Sequence, residues 1–127
     1  MRSLLVAASF FLLCTSSAFA RPQSEGSGND ILSKCQTAMR IIDEQRESGI
    51  GSGVGDASWC IGWVTAVVET NLLRTKTDPV HFCAPKEMQI GQAVRVIVKY
   101  LRDHPERLHE RGIILALTAL QDGFPCK

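Results

Sequence analysis

Between Ile90 and Asp103 the apolar residues fall at Ile90, Ala93, Val94, Ile97, Val98 and Leu101. That is the i, i+3, i+4, i+7, i+8, i+11 series of one helix face, with Gln92, Arg95, Lys99 and Arg102 opposite. Pro105 ends this helix near His104, because the residue before a proline is pushed away from helical angles. A first helix is predicted from Asn29, as cap, to about Glu47. Leu32, Cys35, Met39 and Ile42 share its inner face, Lys34, Arg40, Glu44 and Glu47 face outward, and Gly49 stops it. The four glycines between Gly49 and Gly55 mark a loop.

Asp56 caps a second predicted helix, about Ala57 to Arg74. Its apolar residues (Trp59, Ile61, Trp63, Val64, Val67, Val68, Leu72 and Leu73) cover more than one stripe. That suits either a central helix or one with a second face against a partner. Gly62 inside it marks either close approach of another backbone or a tolerated glycine. Thr75 to Pro85 is a polar loop. A fourth helix is predicted from Glu106 or Leu108 to Asp122, with Leu115, Ala116, Ala119 and Leu120 as its core face and Ile113, Ile114 and Leu117 widening it. Gly123 suits a left-handed residue after the helix, Phe124 can fold back on it, and Pro125 blocks continuation. With no sustained period-two alternation, the expectation is an all-α fold: a compact bundle of four main helices.

The N-terminus changes the picture of where this bundle works. Arg2, the apolar run Leu4 to Cys14 and the Ala18-Phe19-Ala20 cleavage context read as a secretory signal over residues 1–20. Residues 21–28, rich in Ser and Gly, read as a flexible leader, and 29–127 as one domain. Removing Arg2 takes the formal charge from +1 to 0. A neutral chain has no electrostatic reason to seek nucleic acid or an anionic membrane, and no later segment is long and apolar enough for a membrane span.

Four cysteines remain after cleavage: Cys35, Cys60, Cys83 and Cys126. An even count in a small exported domain favours two disulfides, and the absence of a C-x-x-C pair makes zinc the weaker reading. If the first two helices are antiparallel, Cys35–Cys83 with Cys60–Cys126 is reachable; Cys60–Cys83 with Cys35–Cys126 stands beside it. Cys60 or Cys83 with His81, His104 or His109 would make a thiol catalyst only if a free thiolate were available. Pairing all the thiols is simpler, so neither an enzyme nor a cofactor is expected. His104 at a helix end suits the helix dipole, and Asp103, Glu106 and Glu110 read as a solvated corner.

With these residues in view, the chain resembles the Rap/Tai family of immunity proteins. The matching elements are Cys60-Ile61-Gly62-Trp63, Phe82-Cys83-Ala84-Pro85, Gly91-Gln92, Val98-Lys99-Tyr100-Leu101, His104-Pro105-Glu106, His109 and Phe124-Pro125-Cys126. Trp63 stands where Tyr is expected, and Gly112 where the fourth helix usually has a better helix former. The resemblance implies a periplasmic inhibitor of peptidoglycan amidase effectors delivered by type VI secretion. Such a protein is often a homodimer and acts by occluding the enzyme cleft. On exposure and rigidity, and not on the resemblance, contacts are expected at Gln92, Arg95 and Lys99 on the third helix and at Asp103, His104, Glu106, Arg107 and His109 on the corner after it. A small periplasmic stress or chaperone-like protein, using Trp59 and Trp63, is the competing reading.

Overall fold

The structure is a computed structural model that describes residues 26–43 and 53–127. It contains α1 (Gly28–Asp43), α2 (Val54–Asn71), α3 (Ile90–Asp103), a short 3-10 turn (Pro105–Arg107) and α4 (Gly112–Gly123). The four helices enclose one core, with no strand beyond an isolated bridge among the described residues. α1 packs most extensively on α2 and also on α3, and α3 runs on to pack against α4. The expected signal sequence, the end of the first predicted helix beyond Asp43 and most of the glycine-rich loop lie outside the described residues.

The α3 reading holds residue by residue. Ala93, Val94, Ile97, Val98 and Leu101 are buried, and Gln92, Arg95, Lys99 and Arg102 are exposed. α1 buries Ile31, Cys35 and Ala38. Its cap is Ser27 and not Asn29: the Ser27 hydroxyl accepts the Asp30 N–H at 3.3 Å, while the Asp30 carboxylate accepts the Gly26 N–H at 3.3 Å. This resembles a capping box, except that the returning carboxylate binds the N–H before the cap and not the cap's own. α2 starts at Val54, one turn before the expected cap, after Gly53 at φ 111°. Asp56 therefore sits in the first turn, where its charge meets the positive end of the helix dipole.

α2 is not a central helix. Ala57, Cys60, Val64, Val67 and Asn71 form a single buried stripe, and Trp59, Ile61, Leu72 and Leu73 are exposed on the other side. Gly62 has open space where a Cβ would stand, so no second backbone approaches it. Asn71 is the one buried polar residue in the core among the described residues. Its side-chain amide binds both backbone groups of Phe82, which carries the Thr75–Pro85 loop into the core.

α4 begins later than expected because the residues ahead of it form a turn that ends in extended Arg111 and is paired with the start of α1. Gly28 N–H donates to Glu110 O at 3.0 Å, and Asn29 donates to Leu108 O through its backbone at 3.0 Å and its side chain at 3.2 Å. Ser27 and Arg111 form an antiparallel bridge. Gly26 to Gly28, expected in the loose leader, are thus part of the domain. Gly112 is there for close approach: a Cβ on it would lie 2.4 Å from Ile31 Cγ1 and 2.7 Å from Gly26 O. Leu115, Ala116, Leu117, Ala119 and Leu120 are buried, but Ile113 and Ile114 turn outward. Gly123 is the last helical residue and not a left-handed one; Phe124 does fold back on the core.

The disulfides are Cys35–Cys60 and Cys83–Cys126, a connectivity that differs from both expected ones. Cys35 lies well inside α1 and faces α2 where the helices cross, so it meets Cys60 and not the far end of α2. The loop after α2 passes beneath the end of α4. There Cys83 N–H donates to Phe124 O at 2.9 Å and Gln121 Nε2 donates to Pro79 O at 2.9 Å, which places Cys83 beside Cys126.

Candidate functional site

The turn between α3 and α4 is held by its own side chains. The Arg107 guanidinium grips Glu110 with two parallel bonds of 2.8 Å, from Nε to Oε1 and from the terminal nitrogen to Oε2. It also donates to the Tyr100 hydroxyl, and its centre lies 5.9 Å from the Tyr100 ring. His104 stacks on the other part of that ring, with centroids 4.2 Å apart. His104 Nδ1 lies 2.9 Å from Tyr100 O. A carbonyl oxygen can only accept, so Nδ1 carries the proton.

Electrostatics follow the same contacts. The bond from Arg107 holds the Glu110 carboxyl below its usual value, opposed by desolvation. The same bond raises Arg107 further, so the guanidinium keeps its charge. The hydrogen bond from Lys99 lowers the Asp103 carboxyl. Lys99 and Asp103 are one helical turn apart at 2.5 Å, and Arg95 reaches Asp43 of α1 at 2.6 Å.

Of the eight expected contact residues, four are therefore engaged in ion pairs or stacking that fix the corner: Asp103, His104, Arg107 and Lys99. Arg95 ties α3 to α1. Gln92, Glu106 and His109 face solvent, and their side chains make no hydrogen bond among the described residues. The structure does not gather the eight into one cleft. It instead joins His109 to residues on other elements. His109, Glu110, Arg111 and Ile113 face Trp63 of α2 across a shallow hollow of about 370 Å³, floored by Gly26 and Ser27.

Trp63 continues into Trp59, the two indoles stacked at 5.8 Å and within 9° of parallel, and Lys34 Nζ sits 4.2 Å from the Trp59 ring. The result is a ridge of two rigid aromatic rings beside a stiff polar turn. Large aromatic side chains with a charged rim are what protein interfaces use as anchors. The sequence marks both tryptophans as surplus to one core stripe. Their meeting with His109 depends on the Gly26–Asn29 segment docking on Leu108–Gly112, which no local pattern announces.

No helix among the described residues is long and apolar enough to cross a membrane. The sequence matches the family model for Rap1a immunity proteins over residues 27–126, which takes in all four helices and both disulfides. Searches of curated proteins and of solved structures each return no match.

Proposed function

Because the chain belongs to the Rap1a immunity protein family, an immunity role toward a secreted effector is the starting point, and we propose that the effector is a peptidoglycan amidase. On this reading the protein works in the periplasm. It binds the enzyme beside its cleft and excludes substrate sterically, without turnover. The family match over the whole helical body carries the reading, and the two disulfides suit an oxidising compartment.

The proposed docking surface is the Trp59–Trp63 ridge with Ile113, flanked by His109. Its aromatic rings can bury large areas with few rotors to freeze, and the Arg107–Glu110–Tyr100 cluster orders the turn before binding, which lowers the entropy lost on association. The outward face of α3, with Gln92, Arg95, Lys99 and Asp103, forms a rim where exposed ion pairs contribute little affinity. Type VI delivery of the amidase and a homodimeric state are part of the same proposal.

The experiment is capture of periplasmic proteins on the mature, disulfide-intact domain. Recovery of one amidase at fixed stoichiometry supports the reading, and recovery of no hydrolase counts against it. A chaperone-like role has one observation in its favour: Leu72 and Leu73 at the end of α2 are 75% and 87% exposed. That role predicts suppressed aggregation of unrelated client proteins, which an immunity protein would not produce.

A further inference from the structure

The two disulfides sit in opposite surroundings. Cys35 and Cys60 are wholly buried in the core, whereas Cys83 and Cys126 are exposed. His81 stands beside the exposed pair, its Nε2 3.8 Å from Cys83 Sγ. One nitrogen of His81 and the two sulfurs lie within 4.8 Å of one another. We propose that reduction of the Cys83–Cys126 bridge converts this cluster into a zinc site with three protein ligands: His81, Cys83 and Cys126.

The chemistry balances with a dithiol reductant. Its thiolate attacks one sulfur of the exposed bridge and the other sulfur leaves as a thiolate. The second thiol of the reductant then closes its own disulfide and releases the remaining cysteine. Two electrons and two protons pass to the protein. Zn²⁺ displaces the two thiol protons, accepts the lone pair of the neutral imidazole, and keeps a fourth position for water, as three-ligand zinc sites do. Exposed bridges are the ones that such reductants open, so the buried Cys35–Cys60 bridge stays closed under mild conditions.

Bonds other than the disulfide hold the ligands near one another. His81 and Cys83 flank Phe82, which is buried and bound at both backbone groups by Asn71. Cys83 N–H is bonded to Phe124 O, and Phe124 packs on the core. In a tetrahedral site the two sulfurs stand about 3.7 Å apart. Cys126, exposed beyond Phe124, can swing outward by that much without disturbing α4. His81 Nδ1 is the ring nitrogen turned into the protein, so Nε2 is the one facing the sulfurs.

The test is gentle reduction with a dithiol, anaerobic removal of the reagent and titration with Co²⁺, then Zn²⁺. Alkylation mapping should find only Cys83 and Cys126 reduced. Sulfur-to-cobalt charge-transfer absorption should then saturate at one equivalent, vanish on Zn²⁺ addition, and be absent from the oxidised protein. His81→Ala and His81→Gln should each weaken Co²⁺ binding roughly tenfold or more, with the helical circular dichroism unchanged. Absence of the cobalt bands from the singly reduced protein overturns the proposal. Co²⁺ affinity in both His81 variants equal to that of the unsubstituted protein overturns it too, as does simultaneous opening of both bridges.

Discussion

The side chain of Asn71 stands in for a strand partner to Phe82: Nδ2 donates to the Phe82 carbonyl at 2.8 Å and Oδ1 accepts the Phe82 N–H at 3.2 Å. Both residues are buried, so neither backbone group has water to turn to. Asn71→Leu keeps the volume but leaves two buried polar groups unpaired, each worth about 1–3 kcal/mol. The expected result is a loss of roughly 2–4 kcal/mol in urea unfolding. Thr70→Ala, one position away and exposed, should stay within about 0.5 kcal/mol.

Gly112 and Gly62 separate propensity from packing. Both are helical glycines, and helix propensity alone predicts that alanine stabilises each by about 1 kcal/mol. At Gly62 a Cβ meets nothing within 4 Å, so Gly62→Ala should raise stability by about 0.5–1 kcal/mol. At Gly112 a Cβ would lie 2.4 Å from Ile31 Cγ1 and 2.7 Å from a backbone oxygen, and the oxygen cannot rotate away. Gly112→Ala should therefore destabilise by about 1–3 kcal/mol. Chemical denaturation of the two variants side by side checks the opposite signs.

These contrasts show which parts of the fold the sequence carries. The α3 face is legible because six apolar residues in strict helical spacing leave one solution. Ser27-x-x-Asp30 carries a capping signal, but Asn29, next to the apolar run, is an equally good cap by residue type. The start of α4 is hidden: Leu108 to Arg111 could be helical on propensity, but they form a turn ending in extended Arg111, and their long-range bonds to Gly26 to Asn29 are not written in any local pattern. The disulfide pairing fails for a similar reason, since where α1 and α2 meet is set by packing of their buried faces and not by helix ends. Trp63 and His109 carry a partial signal each, and their meeting belongs to tertiary structure.

Acid should loosen the α3–α4 turn through Glu110. Its folded-state pKa is depressed by the bond from Arg107 below the ordinary value of 4.5. A depressed carboxyl contributes stability that is fully present above its unfolded pKa and is lost as pH falls through the folded one. Asp103, lowered from 3.8 by Lys99, acts in the same direction at slightly lower pH. Melting temperature should thus hold level above about pH 5 and fall below it. Glu110→Gln should flatten the upper part of that fall, while Arg107 stays charged throughout.

If the tryptophan ridge is the docking surface, its residues should dominate affinity for the captured effector. Trp63→Ala removes a rigid anchor beside His109 and should raise Kd by about thirtyfold or more, the scale of an interface hot spot. His109→Ala, at an exposed position, should alter folding stability by less than about 0.5 kcal/mol while still weakening binding. Gln92→Ala and Lys99→Ala on the α3 rim should shift Kd by less than about fivefold, with Lys99 acting mainly on the association rate. Calorimetric titration of each variant against the effector gives Kd directly, and stopped-flow mixing separates the rates. The reverse order, with the α3 substitutions costing most and Trp63→Ala near neutral, would move the interface to the outward face of α3 and leave the aromatic ridge without a partner.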